Sequence, residues 1–406
     1  MTLKAYQSNA YIKDFEAKII EITEIAEGKA IALDHTYFYP EGGGQPCDFG
    51  RIEQVGIINV VIQNDRVYHI TTSATQHLQV GQLVSCSIDF QRRFAFMQQH
   101  TGQHILSACA EKLFNANTVG FHIGEDYVTI DLDQKLTPED VDALETLAND
   151  TVYANKPVHM HYPSSAELSK MPLRKMPKVT ENIRVIEVDG FDFSPCGGTH
   201  THTTAEVGII KIKRVDSYKS GIRIEFGCGY FALESFRKRN ETINGLMRLF
   251  SVSDDDILTF AEQLIENQKS DRHMIEKLKE QLIKMQVAQI LGSYDEDAHD
   301  EIKVITLTEN QLPMADLRLK SALIAETDNC IIIATSQEED KVHVVLSKSK
   351  NIGPELDMGH LFKSFVSPLG IKGGGNAFVA QGGTTDKIDL DALCSELEDH
   401  IREQIL

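Results

Sequence analysis

Two pairs of potential metal ligands, far apart in the chain, place the strongest constraint on how it folds. The first pair is His100 and His104, followed by a run at residues 105–110 that is typical of a helix. Side chains four positions apart lie one turn apart on the same helical face. The second pair, Cys196 and His200, has the same separation and encloses two glycines. We predict that these four side chains converge on one metal ion and that the intervening segments fold around it.

The expected ion is Zn²⁺, because imidazole and thiolate are ligands that zinc prefers. Two alternatives stay open: the pairs can be unrelated buried residues, or the zinc can be purely structural, since a catalytic zinc usually keeps one open position. A zinc protease carries a glutamate directly after its first histidine, whereas Thr101 stands here and Gln103 precedes the second histidine. Any hydrolysis would therefore need a water activated by the metal or by the substrate.

Length and composition predict a multidomain globular protein. The 406 residues favour two to four domains, and 42% hydrophobic with 25% charged residues is ordinary for a soluble chain. No apolar run is long enough to span a bilayer, and the first residues lack the apolar block of a signal peptide. Seven scattered cysteines argue against a disulfide framework. We expect a cytoplasmic protein.

The hydrophobic patterns predict an α+β multidomain fold with four segments. Residues 1–90 read as a small β-barrel, 91–235 as an α+β zinc domain, 236–295 as a helical linker or coiled coil, and 296–406 as a glycine-rich α/β domain. We place a helix break at residues 251–256, where Ser and Asp cluster. Gln268 and Asp271 interrupt the apolar stripe that follows, so a plain linker and a dimer seam are equally consistent with it.

A glycine-rich loop within the predicted barrel stands out. Gly42, Gly43 and Gly44 lie between Pro40 and Pro46 and allow backbone angles closed to other residues. The loop is either a barrel turn or a point where backbone approaches a ligand closely.

The charge pattern leaves nucleic-acid binding open. A net charge of −20 counts against it, but net charge is an average over domains. Basic residues flank the Cys196 segment on both sides; a solvated face and phosphate contact are both possible. The downstream cluster is Lys211, Lys213, Arg214, Lys219 and Arg223; the upstream cluster is Lys170, Arg174, Lys175 and Lys178.

Taken together, these motifs resemble a known family. His-x3-His followed distantly by Cys-x3-His resembles the zinc pattern of the editing domain of alanyl-tRNA synthetase, and residues 97–104 (MQQHTGQH) resemble its form in free-standing alanyl-tRNA editing proteins. Residues 38–46 (FYPEGGGQP) resemble the loop that precedes it in both. The runs Gly373, Gly374, Gly375 and 381–383 resemble the C-terminal domain shared by alanyl-tRNA synthetases and DHH-type phosphoesterases. The chain looks like the long form of the editing protein.

The resemblance implies a deacylase without aminoacylation activity. Its substrate would be tRNA(Ala) whose acceptor end carries a wrong amino acid, chiefly serine, with glycine as a second candidate. The four ligands match the family's zinc site, and Thr118 matches its serine-discriminating position. A site that hydrogen-bonds serine's hydroxyl can prefer it over alanine, although a threonine at a strand start is also ordinary.

The resemblance also implies partners and two alternatives. The downstream basic cluster and Gly373–Gly375 would contact tRNA, and the linker and C-terminal domain could form a homodimer. One alternative is a tRNA-binding protein with a structural zinc; another is a zinc hydrolase of small esters or amides.

Overall fold

The chain folds into two compact units, Met1–Leu249 and Phe250–Leu406, each with its own hydrophobic core. The computed structural model describes residues 2–26, 28–72, 74–125, 127–177, 183–293 and 302–405. Within those ranges, none of the helices combines the length and apolarity needed to cross a membrane. The α+β multidomain class is confirmed. The four-segment division stays a prediction.

The N-terminal part of the first unit is built from nine short strands. They are β1 (Leu3–Lys4), β2 (Asp14–Ile25), β3 (Gly28–Leu33), β4 (His35–Thr36), β5 (Gly50–Ile52), β6 (Val55–Ile57), β7 (Asn59–Gln63), β8 (Arg66–Thr71) and β9 (Leu83–Ile88). Seven of them form one sheet in the order β6-β5-β9-β2-β3-β8-β7, while β1 pairs with β4.

The expectation of a closed β-barrel is wrong. The two edge strands, β6 and β7, follow each other in the chain, yet no ladder joins them in the part of the chain that the structure describes. Between them, the Ile58 amide donates to the carbonyl of Ile70 at 3.0 Å. The chain therefore crosses from one edge to the other without pairing the edges. The long strand β2, whose register shifts between Ile19 and Glu21, belongs to both halves of the open sheet.

Helix α1 (Phe90–Phe114) is the centre of the first unit. Asp89 caps its start by accepting from the Arg92 amide at 3.1 Å, and Asn115 ends it with a left-handed φ of 52°. The helix is buried from Ala95 to Ala110, including many polar side chains. Buried polar groups need hydrogen-bond partners, so the residues packed around this helix determine how its polar side chains are paired.

The remaining elements of the first unit surround α1. They are β10 (Thr118–Ile123), β11 (Val128–Leu132), α2 (Pro138–Tyr153), β12 (Val158–His161), α3 (Ser165–Leu168), β13 (Val185–Val188), β14 (Asp192–Pro195), β15 (Ile210–Tyr218), β16 (Gly221–Cys228) and α4 (Gly229–Phe250). Two antiparallel sheets result, β10-β11-β16-β15 and β12-β13-β14. Thr137 caps α2 in a capping box with Asp140.

The second unit is a mixed five-stranded sheet covered by helices. Its elements are α5 (Ile257–Gly292), β17 (Lys303–Asn310), α6 (Met314–Ile324), β18 (Cys330–Glu338), β19 (Lys341–Lys348), α7 (Met358–Leu361), β20 (Lys372–Gly375), β21 (Val379–Thr384) and α8 (Leu390–Ile405). The strand order is β17-β18-β19-β21-β20. The helix break predicted at residues 251–256 is confirmed, since α4 ends at Phe250 and α5 begins at Ile257.

Candidate metal centre

The four predicted ligands meet at one point in the first unit. His100 and His104 lie on the buried face of α1, Cys196 directly follows β14, and His200 lies in the loop beyond it. Their ligand atoms all lie within 4.8 Å of one another. The convergence predicted from the two spacings is therefore found in the fold.

Two of the distances between ligand atoms are close to those of a tetrahedral site. Cys196 Sγ lies 3.2 Å from His100 Nε2, and His104 Nε2 lies 3.4 Å from His200 Nε2. Zinc bonds of about 2.0–2.3 Å place tetrahedral ligand atoms roughly 3.3–3.8 Å apart. His200 Nδ1 is buried and has no hydrogen-bond partner among the described residues. One thiol and three imidazoles in this arrangement could hold a metal ion.

The ionisation of Cys196 and His200 also favours a metal. Burial by itself would raise the pKa of the Cys196 thiol, but the neighbouring His100 and His200 hold that pKa well below its ordinary value. Burial lowers the pKa of His200 to about 3, so this imidazole is neutral. A thiolate and a neutral imidazole are the forms that bind metal ions.

Gln45 orients His100 from the glycine loop. Its Oε1 accepts from the Thr199 amide at 3.1 Å, and its Nε2 donates to Thr199 Oγ1 at 2.7 Å, which fixes the orientation of the amide. Oε1 also lies 2.8 Å from His100 Nδ1. Because this oxygen can only accept, His100 must carry its proton on Nδ1, and Nε2 is left free for a metal.

Asp192 orients His104 in the same way. Asp192 Oδ2 lies 3.2 Å from His104 Nδ1, and Oδ1 accepts from Arg174 Nε at 2.7 Å. Burial opposes the charge of Asp192, but the hydrogen bond from His104 and the charge of Arg174 hold the pKa of the carboxyl at about 2. Both helical histidines thus present Nε2 to the same point.

Two glycines allow the close packing of this centre. A Cβ at Gly198 would lie 2.1 Å from His100 Cε1, so only glycine lets the cysteine loop approach this imidazole. Gly44, at a φ of +78°, would place a Cβ 2.6 Å from Phe121, whose ring lies 6.1 Å from that of His100. The glycine loop is a turn, as one prediction had it, and it also brings Gln45 to the site.

Replacing Gln45 by leucine is expected to weaken zinc binding by about 10–100-fold, because His100 loses the acceptor that fixes its tautomer. Competition for Zn²⁺ with a chromophoric chelator measures this. Gln54→Leu is the matched control, since Gln54 is exposed in the turn between β5 and β6 and should bind zinc normally. Unchanged affinity in the Gln45 variant would show that this amide does not orient His100.

A cavity of about 480 Å³ opens onto the centre. Three of the four ligands line it, together with Gly43 of the glycine loop and Phe121 of β10. None of the described lining residues is Asp or Glu, while Arg174, Lys175 and Arg184 are among them. The cavity is therefore electropositive within a chain whose net charge is −20.

Thr118 also lines the cavity, at the start of β10. Its Oγ1 donates to Ser107 Oγ at 2.8 Å, and Ser107 Oγ also accepts from Gln103 Nε2 at 2.8 Å. Because the Thr118 proton is engaged in this chain, its oxygen remains available as an acceptor. The structure thus places the hydroxyl predicted from the resemblance beside the metal ligands.

The downstream basic cluster does not line this cavity. Its five residues are on or between β15 and β16, and β15 is the edge of the sheet opposite β10. Three are paired with carboxylates at 2.6–2.7 Å: Lys211 with Glu145, Arg214 with Asp216, and Arg223 with Asp131. None of the five lines the cavity. Of the upstream cluster, Arg174 and Lys175 reach the cavity, and Lys178 lies outside the described residues.

Comparison with known proteins gives matches along the whole chain. Residues 183–225 match the model of the threonyl and alanyl tRNA synthetase second additional domain, and residues 4–92 match that of class II (A) tRNA synthetases. The alanyl-tRNA editing protein AlaX-L of Pyrococcus horikoshii is 29% identical over 99% of this chain and 100% of its own length. The chain resembles an alanyl-tRNA editing protein along its length. This confirms the resemblance predicted from the motifs.

Longer relatives match as well. The alanine–tRNA ligase of Korarchaeum cryptofilum is 29% identical over 95% of this chain, which spans 44% of that ligase. The solved C-Ala domain of alanyl-tRNA synthetase from Aquifex aeolicus shares 21% identity over 24% of this chain, at a TM-score of 0.23, which is too low to establish a shared fold. The second-additional-domain match contains Cys196 and His200, whereas His100 and His104 lie between the two matched segments.

Proposed function

We propose that this chain is an aminoacyl-tRNA deacylase that removes a wrong amino acid, chiefly serine and secondarily glycine, from tRNA(Ala) and does not itself aminoacylate. The main observation behind this proposal is that the Thr118 hydroxyl and the four-ligand centre face one electropositive cavity. The volume of the cavity falls within the range of ~300–1,000 Å³ typical of small-molecule sites. A cavity of this size and positive charge suits the aminoacylated end of a nucleic acid. The similarity to an alanyl-tRNA editing protein over 99% of the chain supports the same activity.

The chain's own residues would position the ester. The four ligands, His100, His104, Cys196 and His200, would hold Zn²⁺, which when bound supplies Lewis-acid polarisation to a carbonyl or water oxygen. Gln45 and Asp192 keep the two helical histidines in the tautomer that binds metal.

The specificity for serine would come from Thr118. Its oxygen can accept a hydrogen bond from serine's hydroxyl, because its own proton goes to Ser107. Alanine offers no such donor and would leave this polar group unpaired, which a site penalises strongly.

Replacing Thr118 by valine is expected to lower kcat/KM for seryl-tRNA(Ala) by about 10–100-fold, because the acceptor is lost at nearly constant shape. Hydrolysis of alanyl-tRNA(Ala) should not fall. The rates of release of labelled amino acid measure both. Thr118→Ser retains the hydroxyl and should retain most activity on seryl-tRNA(Ala). Equal rates for Val and Ser variants would remove Thr118 from this role.

Three substrates test the function itself. Wild-type protein should release serine rapidly from seryl-tRNA(Ala), release alanine slowly from alanyl-tRNA(Ala), and hydrolyse a small seryl ester poorly. Tight tRNA binding without any hydrolysis would instead favour a tRNA-binding protein with a structural zinc. Activity on the small ester alone would favour a general zinc esterase.

Contacts with the rest of the tRNA are proposed outside the cavity. The first surface is the downstream basic cluster on β15 and β16, and the second is Gly373–Gly375, the exposed edge strand β20 of the second unit. Each presents groups suited to backbone phosphates, namely cations or unhindered amides.

A homodimer through the helical segment is the remaining proposal. Helix α5 leaves an apolar stripe exposed: Leu264, Ile275, Leu278, Leu282 and Met285. Pairing of two such helices would bury this stripe. Sedimentation equilibrium should then show a dimer that Leu278→Glu dissociates, whereas a monomeric wild type would make α5 a plain linker.

A further inference from the structure

We propose that Lys175 and Arg184 form an anion subsite that binds the phosphodiester group adjoining the 3′-terminal nucleotide of the substrate. The inference rests on the proposed function, and it specifies which part of the tRNA end the cavity would bind. It is distinct from the metal ligands and from the basic cluster on β15 and β16.

The first observation is the charge of the cavity wall. The chain has 60 acidic and 40 basic residues, so a wall of this size would be expected to contain carboxylates. The lining residues that the structure describes contain three cations and no acid. Such a wall stabilises an anion and attracts it from solution.

The three cations are not equivalent. Arg174 donates through Nε to Asp192 Oδ1 at 2.7 Å and through Nη2 to Ser194 Oγ at 2.8 Å. Its charge is therefore balanced by a buried carboxylate that also holds His104. Lys175 and Arg184 are therefore the two lining cations that remain to bind an anionic ligand.

Arg184 is a buried cation that pairs with no carboxylate among the described residues. Only 9% of the residue is exposed, and in the described ranges no carboxylate lies within 4.0 Å of its guanidinium. Nη1 donates to the carbonyls of Cys196 and Gly198 at 2.9 and 2.8 Å, and Nε lies 2.8 Å from Met160 Sδ. Carbonyl dipoles compensate a buried charge only in part, so an anion bound beside it would be strongly stabilised.

Lys175 adds a second cation to the wall of this cavity. Its side chain lines the cavity and is exposed to solvent. A guanidinium and an ammonium can together bind the two non-bridging oxygens of a phosphodiester. The subsite would therefore favour an ester carried on a nucleic acid over a free amino-acid ester or an aminoacyl nucleoside.

Two stable analogues test the subsite. The first is 3′-seryl-amido-3′-deoxyadenosine, whose amide replaces the scissile ester; the second carries in addition a 5′-methyl phosphodiester. Calorimetry with the full chain loaded with Zn²⁺ should show the phosphodiester analogue binding wild type about tenfold tighter or more, with a gain that shrinks as salt rises. Lys175→Met should reduce the gain to less than about threefold without weakening the plain analogue, and Arg184→Met should reduce the gain as well.

Controls separate binding from folding. Lys135→Met, an exposed change in the loop after β11 that does not line the cavity, should keep the full gain. Arg184→Lys should restore part of it, and zinc content should be unchanged in Lys175→Met. If wild type binds both analogues equally, the subsite is overturned while the proposed function stands. If neither analogue binds, the proposed function fails and the subsite fails with it.

Discussion

Replacing Cys196 by alanine is expected to abolish stoichiometric zinc binding and to lower kcat/KM for seryl-tRNA(Ala) by about 10³-fold or more, equivalent to about 4 kcal/mol of barrier. Cys196 is the one thiolate among the four ligands, and neighbouring imidazoles hold its pKa well below the ordinary value. Its loss removes both a ligand and the negative charge that balances the metal. Metal analysis and the deacylation assay measure the two effects on the same preparation.

Cys86→Ala is the matched control for this variant. Cys86 is also buried, but it lies in β9 of the N-terminal sheet, away from the centre, so zinc content and activity should both remain. If the Cys196 variant loses zinc yet deacylates at the normal rate, the metal is not needed for catalysis and is structural. If the variant keeps zinc, the metal binds at another site.

Replacing Arg93 by methionine is expected to destabilise the first unit by about 3–5 kcal/mol, because it leaves the buried carboxylate of Asp48 unpaired. Arg93 is fully buried on α1, and Nε contacts Asp48 Oδ1 at 2.9 Å. Nη1 and Nη2 donate to the carbonyls of Ala10 and Tyr37 at 2.7 and 2.6 Å. These bonds join α1 to the segments on either side of the glycine loop and to the loop before β2.

Hydrogen exchange of the α1 amides measures this effect without assuming that the two units unfold together. Protection factors at residues 95–110 should fall by about 10²-fold or more. The double variant Arg93→Met, Asp48→Leu removes both charges and should recover much of the loss. A double variant as unstable as the sum of its single variants would show that the ion pair is not the cause.

Short sequence patterns were enough to predict several local features of this protein. The spacing of His100 from His104, and of Cys196 from His200, was sufficient to predict that these four side chains converge, because one helical turn and one glycine-containing loop each bring a pair together. The helix break after Phe250 was also predicted, since it depends on neighbouring residues alone.

The tertiary structure decided what surrounds those ligands. Gln45 and Asp192 reach His100 and His104 across 55 and 88 positions of sequence, and no local pattern indicates either contact. The signals for Gln45 were the glycine run directly before it and the resemblance of residues 38–46, which include it, to a loop of the family. Similarly, the open edges of the N-terminal sheet depend on strand pairing at a distance, which local β-propensity does not specify.

The charged residues show most clearly the difference between what the sequence predicts and what the tertiary structure decides. The sequence identified two basic clusters, but it could not say that β15 lies at the sheet edge opposite β10 or that carboxylates pair with Arg214 and Arg223. Nor could it show that Arg184 would be buried in a cavity without acids. Residue types and short spacings specify which chemistry the chain can perform. Only packing between distant segments decides which charges are neutralised and which remain for a ligand, because electrostatic effects depend on distance in space and on burial.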